Sequence, residues 1–160
     1  MAFELRVVTA FMAGLAIIGK RPDGTSKSVT VLDWSGIKES ADQRLCPILQ
    51  PDITQQITLD AYERDSFGSG VTAKQTLTYS VPYVLLYEPV GGERNLAPIL
   101  ANLVTTMSAI VSAVIANDTP SNVSVDLQIA AFTLGGTVND AAGNPFHGVQ
   151  ITVRVKEFIN

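Results

Sequence analysis

The feature that most constrains this chain is an uncharged segment from Asn95 to Ala116, which lies between Arg94 and Asp118. A helix of this length could span a lipid bilayer. However, its large apolar residues recur at the i, i+3, i+4 and i+7 spacing of an amphipathic helix. They are Leu96, Ile99, Leu100, Leu103, Val104, Met107, Ile110, Val111, Val114 and Ile115. The spacing predicts a helix that packs on a protein core, and we expect no membrane partner.

The opposite face of this predicted helix carries small and weakly polar side chains. They are Ala101, Asn102, Thr105, Thr106, Ser108, Ala109, Ser112 and Ala113. Lipid would favour leucine and isoleucine on every side of the helix. We therefore expect part of this back face to contact a neighbouring subunit. The predicted contact residues are Asn102, Thr105, Ser108 and Ser112. The alternative is a core helix with a modestly polar back.

A second apolar run, from Val7 to Gly19, resembles the core of a signal peptide. Glu4 lies where such a peptide carries basic residues, and Lys20-Arg21-Pro22 stands where a small-residue cleavage site would be. The run is therefore predicted to form a helix from about Phe3 to Ile18. Gly19 follows at the position where glycine commonly ends a helix.

Strands are predicted where apolar and polar residues alternate. The longest such segment runs from Gln75 to Tyr87, and another runs from Val123 to Ala131. The last predicted strand begins at Val149 and directs Val149, Ile151, Val153 and Val155 inward. It follows a turn-rich stretch from Gly135 to His147, which predicts a long hairpin loop. Pro82 has no backbone N–H and therefore favours a sheet edge or a bulge.

The region of about residues 35–72 has a poor pattern and is predicted to be irregular or inserted. It contains a short piece from Ile48 to Gln50 between two prolines and a weaker candidate strand from Ile53 to Tyr62. Another candidate strand precedes it, from Ser28 to Trp34. The element order predicts one α+β domain over residues 1–160. We expect a mostly antiparallel sheet, an N-terminal helix and one long helix packed on it, and a closing β-hairpin.

The composition limits the function classes. Only 16% of the 160 residues are charged, against about 25% in a typical soluble domain, while 46% are hydrophobic. High apolar content with a net charge of −4 excludes intrinsic disorder. It also argues against a nucleic-acid grip, which needs clustered Lys and Arg. A soluble chain with so little charge is expected to contact other protein over much of its surface.

Chemical groups for catalysis are scarce. His147 is the only histidine and Cys46 the only cysteine, which excludes an internal disulfide and a zinc site of about four N or S ligands. An acidic group lacks the regular oxygen spacing of a calcium loop. Its members are Asp60, Glu63 and Asp65. The segment from Val90 to Arg94 lacks the Lys and Ser/Thr of a phosphate-binding loop. We therefore predict no enzyme, no catalytic residue, no metal and no cofactor.

The order of elements resembles that of the tail terminator proteins of long-tailed bacteriophages. The resemblance is carried by the strand from Gln75 to Tyr87, the helix from Asn95 to Ala116 and the terminal segment from Gly148 to Phe158. It covers most of the chain as element order, without a diagnostic motif. It implies a structural virion protein of the tail or neck, assembled in the host cytoplasm. Such proteins form a hexameric ring that caps the tail tube, stops its polymerisation and provides the joint to the head connector.

The resemblance implies two protein partners, the tail tube protein and the head-tail connector protein. It also implies a channel through which DNA passes without specific binding, which agrees with an acidic chain. Subunits of a closed ring need two complementary patches. Besides the long helix, the candidate contact elements are the loop from Glu63 to Val71 and the loop from Gly135 to His147. Their named contact residues are Phe67, Gly68, Asn139 and Asn144.

Three alternatives stay open at the level of sequence. The first is another phage neck or head-tail joining protein on the same kind of fold. The second is a small-molecule-binding domain or minor enzyme with a pocket near Gly91 and Gly92. The third is a ring-forming structural protein unrelated to phage.

Overall fold

Two long strands form the centre of the fold. In the computed structural model, which describes residues 5–64, 75–91, 96–117, 125–134 and 136–159, β6 spans Gln75–Pro89 and β9 spans Pro145–Ile159. They pair antiparallel from Gln75 opposite Ile159 to Pro89 opposite Phe146, with one irregularity between Leu86 and Glu88. All other elements are positioned around this pair.

The remaining described elements are shorter, apart from one long helix. They are α1 (Leu5–Ala13), β1 (Ile18–Lys20), β2 (Ser26–Ser28), β3 (Thr30–Val31), a 3-10 turn (Gln43–Leu45), β4 (Ile48–Pro51), β5 (Thr58–Arg64), α2 (Leu96–Ala116), β7 (Val125–Thr133) and β8 (Thr137–Asn139). The sheet order is β3-β4-β6-β9-β7, with β5 also on β6 and β8 also on β9. Only β3 and β4 pair in parallel among the described strands, so the predicted α+β fold with a mostly antiparallel sheet is confirmed.

The main core lies between the sheet and the two helices. The alternation predicted for β6 is confirmed, because one of its faces is buried at every second residue: Leu77, Tyr79, Val81, Tyr83, Leu85 and Tyr87. The predicted inward residues of β9 are buried in the same core: Val149, Ile151, Val153 and Val155. The helix α2 adds Ile99, Leu103, Met107, Ile110 and Val114. Burial of this apolar face provides the main driving force for folding.

The other face of the sheet is covered over only part of its length. A second cluster of buried residues lies there: Cys46, Ile48, Val84, Leu86, Val138 and Phe146. Leu32 and Ala41 pack against it from the segment between β3 and the 3-10 turn. Farther along the same strands, this face carries Thr78, Ser80, Arg154 and Lys156, which are exposed or half-buried. The uncovered part of the sheet is therefore polar.

The first helix ends earlier than the prediction of Ile18. The amide of Gly14 donates to the Ala10 and Phe11 carbonyls, and this turn closes α1 at Ala13. The chain then reverses, so that Ile18 and Gly19 lie in β1. Gly19 does not end a helix. A Cβ atom built on it would lie 2.8 Å from the Thr106 side chain, so glycine is required for close packing of β1 on α2.

Two further predictions about β-structure are corrected. Pro82 lies within the central strand β6, at the point where β5 ends and β4 begins along its edge. Its carbonyl accepts from the Asp52 amide, so the missing N–H falls at the break between the two shorter strands. The stretch from Gly135 to His147 is a shorter loop than predicted, because Val138 in β8 already pairs with Phe146 in β9.

Gly148 is a position where the β6–β9 pair leaves no room for a side chain. A Cβ atom there would lie 1.9 Å from the Leu85 carbonyl oxygen. We expect Gly148→Ala to lower the free energy of unfolding by about 3 kcal/mol, because two central strands must separate to accommodate it. Urea unfolding of both proteins measures this. Gly14→Ala is the control, since its Cβ would approach no atom closer than 3.4 Å. A wild-type unfolding curve for Gly148→Ala would contradict the pairing.

Two buried tyrosines on the same face of β6 differ in their hydroxyl contacts. The Tyr79 hydroxyl donates to Glu157 Oε1 at 3.0 Å, whereas the Tyr83 hydroxyl has no hydrogen-bond partner within the described part of the chain. We expect Tyr79→Phe to lower the free energy of unfolding by about 1–3 kcal/mol. Tyr83→Phe serves as the matched control and should be neutral or slightly stabilising. If thermal unfolding showed that both variants lose the same free energy of unfolding, this difference between the two hydroxyls would be contradicted.

Candidate interaction surfaces

An apolar flank of α2 faces outward. Leu96, Leu100 and Ile115 are 64%, 49% and 68% exposed, and Val104 is also exposed. The apolar spacing predicts all four on the inward face, and this prediction is wrong. The ten apolar residues of α2 cover about 160° of the helix circumference at 3.6 residues per turn, which is wider than the arc that the sheet covers. Leu96 has the same angle as the buried Val114 and is exposed at the first residue of the helix. The excess apolar residues form a surface beside β7 and β8.

The small-residue face of α2 is partly used by the chain itself. Thr106 is buried, and its Oγ1 accepts from the Lys20 amide at 3.0 Å. Asn102 is half-buried, and its Nδ2 donates to the carbonyls of Pro22 at 3.1 Å and Pro98 at 2.9 Å. The β1–β2 hairpin of the same chain therefore covers this side of the first half of α2. Thr106 is thus not available for a neighbouring subunit.

The other residues predicted on this face are accessible. Thr105, Ser108 and Ser112 are exposed. Thr105 Oγ1 donates to the Ala101 carbonyl at 3.2 Å, which is a contact within the helix. The contact with a neighbouring subunit stays a prediction for these three residues.

Two of the described strands, β5 and β7, have open outer edges. They lie on opposite sides of the β6–β9 pair, near the same end of these long strands. Among the described strands, β5 pairs only with β6, and β7 pairs only with β9. The outer edge of each strand therefore presents backbone N–H and C=O groups that no described strand pairs. On β5, Leu59 and Tyr62 are 60% and 50% exposed. On β7, Phe132 is exposed. The sequence signals the strands through alternation, but it does not show which of them lie at an edge.

A cavity of about 460 Å³ opens beside β7. It is lined by Val111, Val114 and Ile115 from α2 and by residues 126–129 of β7. Because consecutive residues of a strand point to opposite faces, a cavity lined by all four lies at the outer edge of the strand. The exposed flank of α2 and the open edge of β7 are therefore one continuous surface.

The uncovered polar face of the sheet carries paired charges. Arg154 Nε lies 3.7 Å from Asp60 Oδ2, and the Ser80 hydroxyl donates to the same carboxylate. Lys156 Nζ lies 5.6 Å from the centre of the Phe158 ring. In the described ranges there is no group of three or more His, Cys, Asp or Glu side chains that could hold a metal ion. Asp60 thus contacts neighbouring strands of the sheet.

Asp140 organises the turn between β8 and β9. It is 1% exposed, and its Oδ1 accepts from the amides of Ala142 at 3.1 Å and Asn144 at 2.8 Å. Its Oδ2 accepts from the Ala41 amide at 3.0 Å and from Asn144 Nδ2 at 2.8 Å. Burial raises the pKa of this carboxyl. The hydrogen bonds from Ala41, Asn144 and Ala142 together outweigh burial, so the pKa lies below its ordinary value.

These contacts bear on the two asparagines predicted as interface residues. Asn144 is exposed, but its side chain binds Asp140 and lies 3.3 Å from Ser40 Oγ. Asn139 is exposed and pairs with Pro145 across the turn. The turn is held against residues 39–41, so Asn144 has a role within the subunit. Contact of either asparagine with a partner stays a prediction.

The two groups considered for nucleophilic chemistry lie in different settings. Cys46 is buried in the second cluster, and burial, with Glu88 adding to it, raises the pKa of its thiol to about 11. Such a thiol is protonated at neutral pH and is a poor nucleophile. His147 is half-buried in β9, opposite Thr137 of β8. It lines a cavity of about 320 Å³ whose other walls are mainly the apolar start of α2.

An open cleft of about 530 Å³ lies near the position considered for a ligand pocket. Arg21, Lys27 and Glu88 are among its lining residues. Lys27 Nζ donates to the Arg44 carbonyl at 2.8 Å and to the Cys46 carbonyl. The Tyr87 hydroxyl donates to the Lys20 carbonyl at 2.5 Å. Lys27 and Tyr87 of the cleft are therefore engaged in hydrogen bonds within the chain.

Some predicted positions lie outside the described residues. They are Phe67 and Gly68 of the predicted contact loop, Asp65 of the acidic group, and Gly92.

The comparisons with known proteins do not assign this chain to a family. No protein-family model matches it, and no curated protein matches it. Among the described residues, α2 is the one helix long and apolar enough to cross a membrane by length and composition, a test that core helices also pass. Six of its residues are buried in this structure.

The depressed pKa of Asp140 makes stability depend on pH. We expect Asp140→Asn to lower the free energy of unfolding at pH 7 by about 2 kcal/mol, because the partly buried amides of Ala41, Ala142 and Asn144 lose a charged acceptor. The ionised carboxylate stabilises the fold fully above its unfolded pKa of 3.8, and this contribution is lost as the pH falls through the folded-state pKa. The difference in the free energy of unfolding between wild type and variant should therefore narrow below about pH 4.

Thermal unfolding from pH 7 to pH 3 measures this gap. Asp126→Asn is the control, because Asp126 is exposed on β7. A gap that stays constant down to pH 3 would show that the charge of Asp140 does not contribute.

Proposed function

We propose that this chain is a structural virion protein of the tail terminator type. In this proposal a homo-oligomeric ring caps the tail tube, stops its polymerisation and provides the joint to the head connector. The observation that carries the proposal is the pair of open sheet edges, β5 and β7, at opposite sides of one subunit. Both are flanked by exposed large apolar side chains, including Leu59 on one side and Ile115 on the other.

This arrangement is what a ring requires. Cyclic association joins two different patches, one on each side of every subunit, and closure uses all of them. An isolated subunit would keep both edges and their apolar neighbours in water, where they promote uncontrolled association. The low fraction of charged residues, 16%, is consistent with a surface that other subunits cover.

The polar part of the sheet supports a channel for DNA. Arg154 lies beside Asp60, so positive charge on this face is partly neutralised locally. The chain as a whole carries a net charge of −4. Tight phosphate binding needs clustered uncompensated cations. A channel lined by such a face would let DNA pass without specific binding.

The first measurement is the mass of the native assembly. We expect about six times the subunit mass of 17.1 kDa at micromolar concentration, since a closed ring buries both edges. Native mass spectrometry and sedimentation velocity provide this mass. A strict monomer at high concentration that does not bind tail tubes would overturn the proposal.

The second measurement separates termination from other roles. The gene is deleted in the virus that encodes it, and the tails are imaged with and without a complementing copy. Overlong tubes support termination. Tails of normal length that fail to join heads would instead indicate a head-tail joining protein. A rise in melting temperature with a metabolite panel would favour a ligand at the cleft near Glu88.

A further inference from the structure

We infer that neighbouring subunits join through their sheet edges. The outer edge of β7 in one copy pairs antiparallel with the outer edge of β5 in the next copy. The sheets then continue from subunit to subunit around the ring. This inference rests on the proposed ring and identifies the contact that closes it.

The strand directions allow this contact in every subunit. In the part of the sheet ordered β5-β6-β9-β7, each strand is antiparallel to its neighbour. Four alternating strands leave β5 and β7 running in opposite directions. Rotation about an axis along the strands therefore brings β7 of one copy beside an antiparallel β5. With an odd number of strands, the same rotation would bring two parallel strands together.

The side chains at the two edges also match. Residues lie at the same level of the sheet when a row of paired residues across β6 and β9 connects them. Tyr62 and Val125 lie at one such level, and Leu59 and Leu127 lie at another. All four lie on the face that the helices cover, since they pair in line with core residues of β6 and β9. Edge-to-edge pairing at these levels joins apolar residues to apolar residues. An offset by an even number of residues preserves the faces, whereas an odd offset reverses them.

The charges on the opposite face do not oppose this pairing. Asp126 of β7 lies at the level of Ala61 of β5, and Gln128 lies at the level of Thr58. The carboxylate of Asp60 is already 3.7 Å from Arg154 of its own subunit. Asp60 is the extra residue of the bulge between Leu59 and Ala61, so at these levels it would neighbour Asp126 of the next copy, and its contact with Arg154 offsets the repulsion between the two carboxylates.

The cavity beside β7 provides space for a side chain of β5. Its volume is about 460 Å³, and its apolar wall includes Ile115 and Val111 of α2. Leu59 of the next copy, which lies at the level of Leu127, would enter it from the helix-covered face, whereas Tyr62 lies at the level of Val125, outside the lining of the cavity. The Tyr62 hydroxyl already donates to Gln75 Oε1 at 2.7 Å, so the polar end of this side chain has a partner within its own subunit.

A second copy of this chain fits better than an unrelated strand. A foreign strand would cover one edge and leave the other exposed in every subunit. Ring closure through β5 and β7 covers both edges of every copy with segments of seven and nine residues. A ring with its helices outside would line its channel with the polar face that carries Arg154 and Lys156.

The test places one lysine on each side of the contact: on the edge strand β5, where a lysine opposes pairing, and on α2 in the apolar wall of the cavity beside β7, where a buried charge is unfavourable. Leu59→Lys blocks the β5 edge, and Ile115→Lys blocks the β7 side. Each is expected to raise the concentration for half-assembly at least ten-fold, with unchanged circular dichroism. Val90→Lys is the matched control, because Val90 is 42% exposed but lies past the opposite end of β6. It should assemble as the wild type does.

Mixing the two variants tests the direction of the contact. Leu59→Lys keeps a free β7 edge, and Ile115→Lys keeps a free β5 edge. An equimolar mixture should therefore form a one-to-one dimer that does not grow, while each variant alone stays monomeric. If both variants form rings as Val90→Lys does, the inference is overturned and the proposed ring stands. A monomeric wild type would instead contradict the proposed function.

Hydrogen exchange on the wild type provides a measurement without substitutions. In the ring, amides on the outer edges of β5 and β7 should exchange at least ten-fold more slowly than in subunits dissociated by dilution. Amides of β8 should not change between the two states. Equal exchange of β5 and β7 in ring and subunit would overturn the inference even if a lysine variant fails to fold.

Discussion

The pairing of β6 with β9 along the length of both strands is the interaction on which the other elements depend. Its helix-covered face receives α1 and α2, and its outer sides receive the shorter strands β4, β5, β7 and β8. At one end, the second apolar cluster covers the other face of the pair. At the opposite end, that face stays polar and both edges stay open. The same pair therefore creates a closed, packed end and an open end with two exposed edges.

The sequence predicts this central part well because burial there is periodic. A strand with one buried face must alternate, and β6 does so from Leu77 to Tyr87. The end of α1 was missed because it is set by a turn at Gly14 and by the approach of Gly19 to Thr106. Beside it, the Lys20 amide donates to Thr106 across 86 positions of the chain, and no local pattern records such a contact. The early start of β9 is likewise supported by Asp140, which accepts from Ala41.

The candidate surface was predicted only in part, for a physical reason. Periodicity shows which residues share a face, but it does not show how wide a surface covers them. Leu100 and Ile115 extend the apolar stripe of α2 beyond the edge of the sheet, so they are exposed. Conversely, Asn102 looked like a surface residue from its polarity, although its amide holds the Pro22 carbonyl of the same chain. Polarity alone does not distinguish a contact within the subunit from one between subunits.

The position of β7 has a consequence for biosynthesis. Within the described structure β7 is held in the sheet only by β9, which follows it in the chain. A nascent chain that lacks β9 leaves one side of β6 unpaired and cannot place β7 at the correct distance from β5. Residues as far apart as Thr78 and Lys156 must meet before β7 has its final position beside β6 and β9, and such distant pairing is slow to form. Chains that stop before β9 therefore cannot form the outer edge of β7, because β9, which leaves the ribosome after β7, is the strand that positions it.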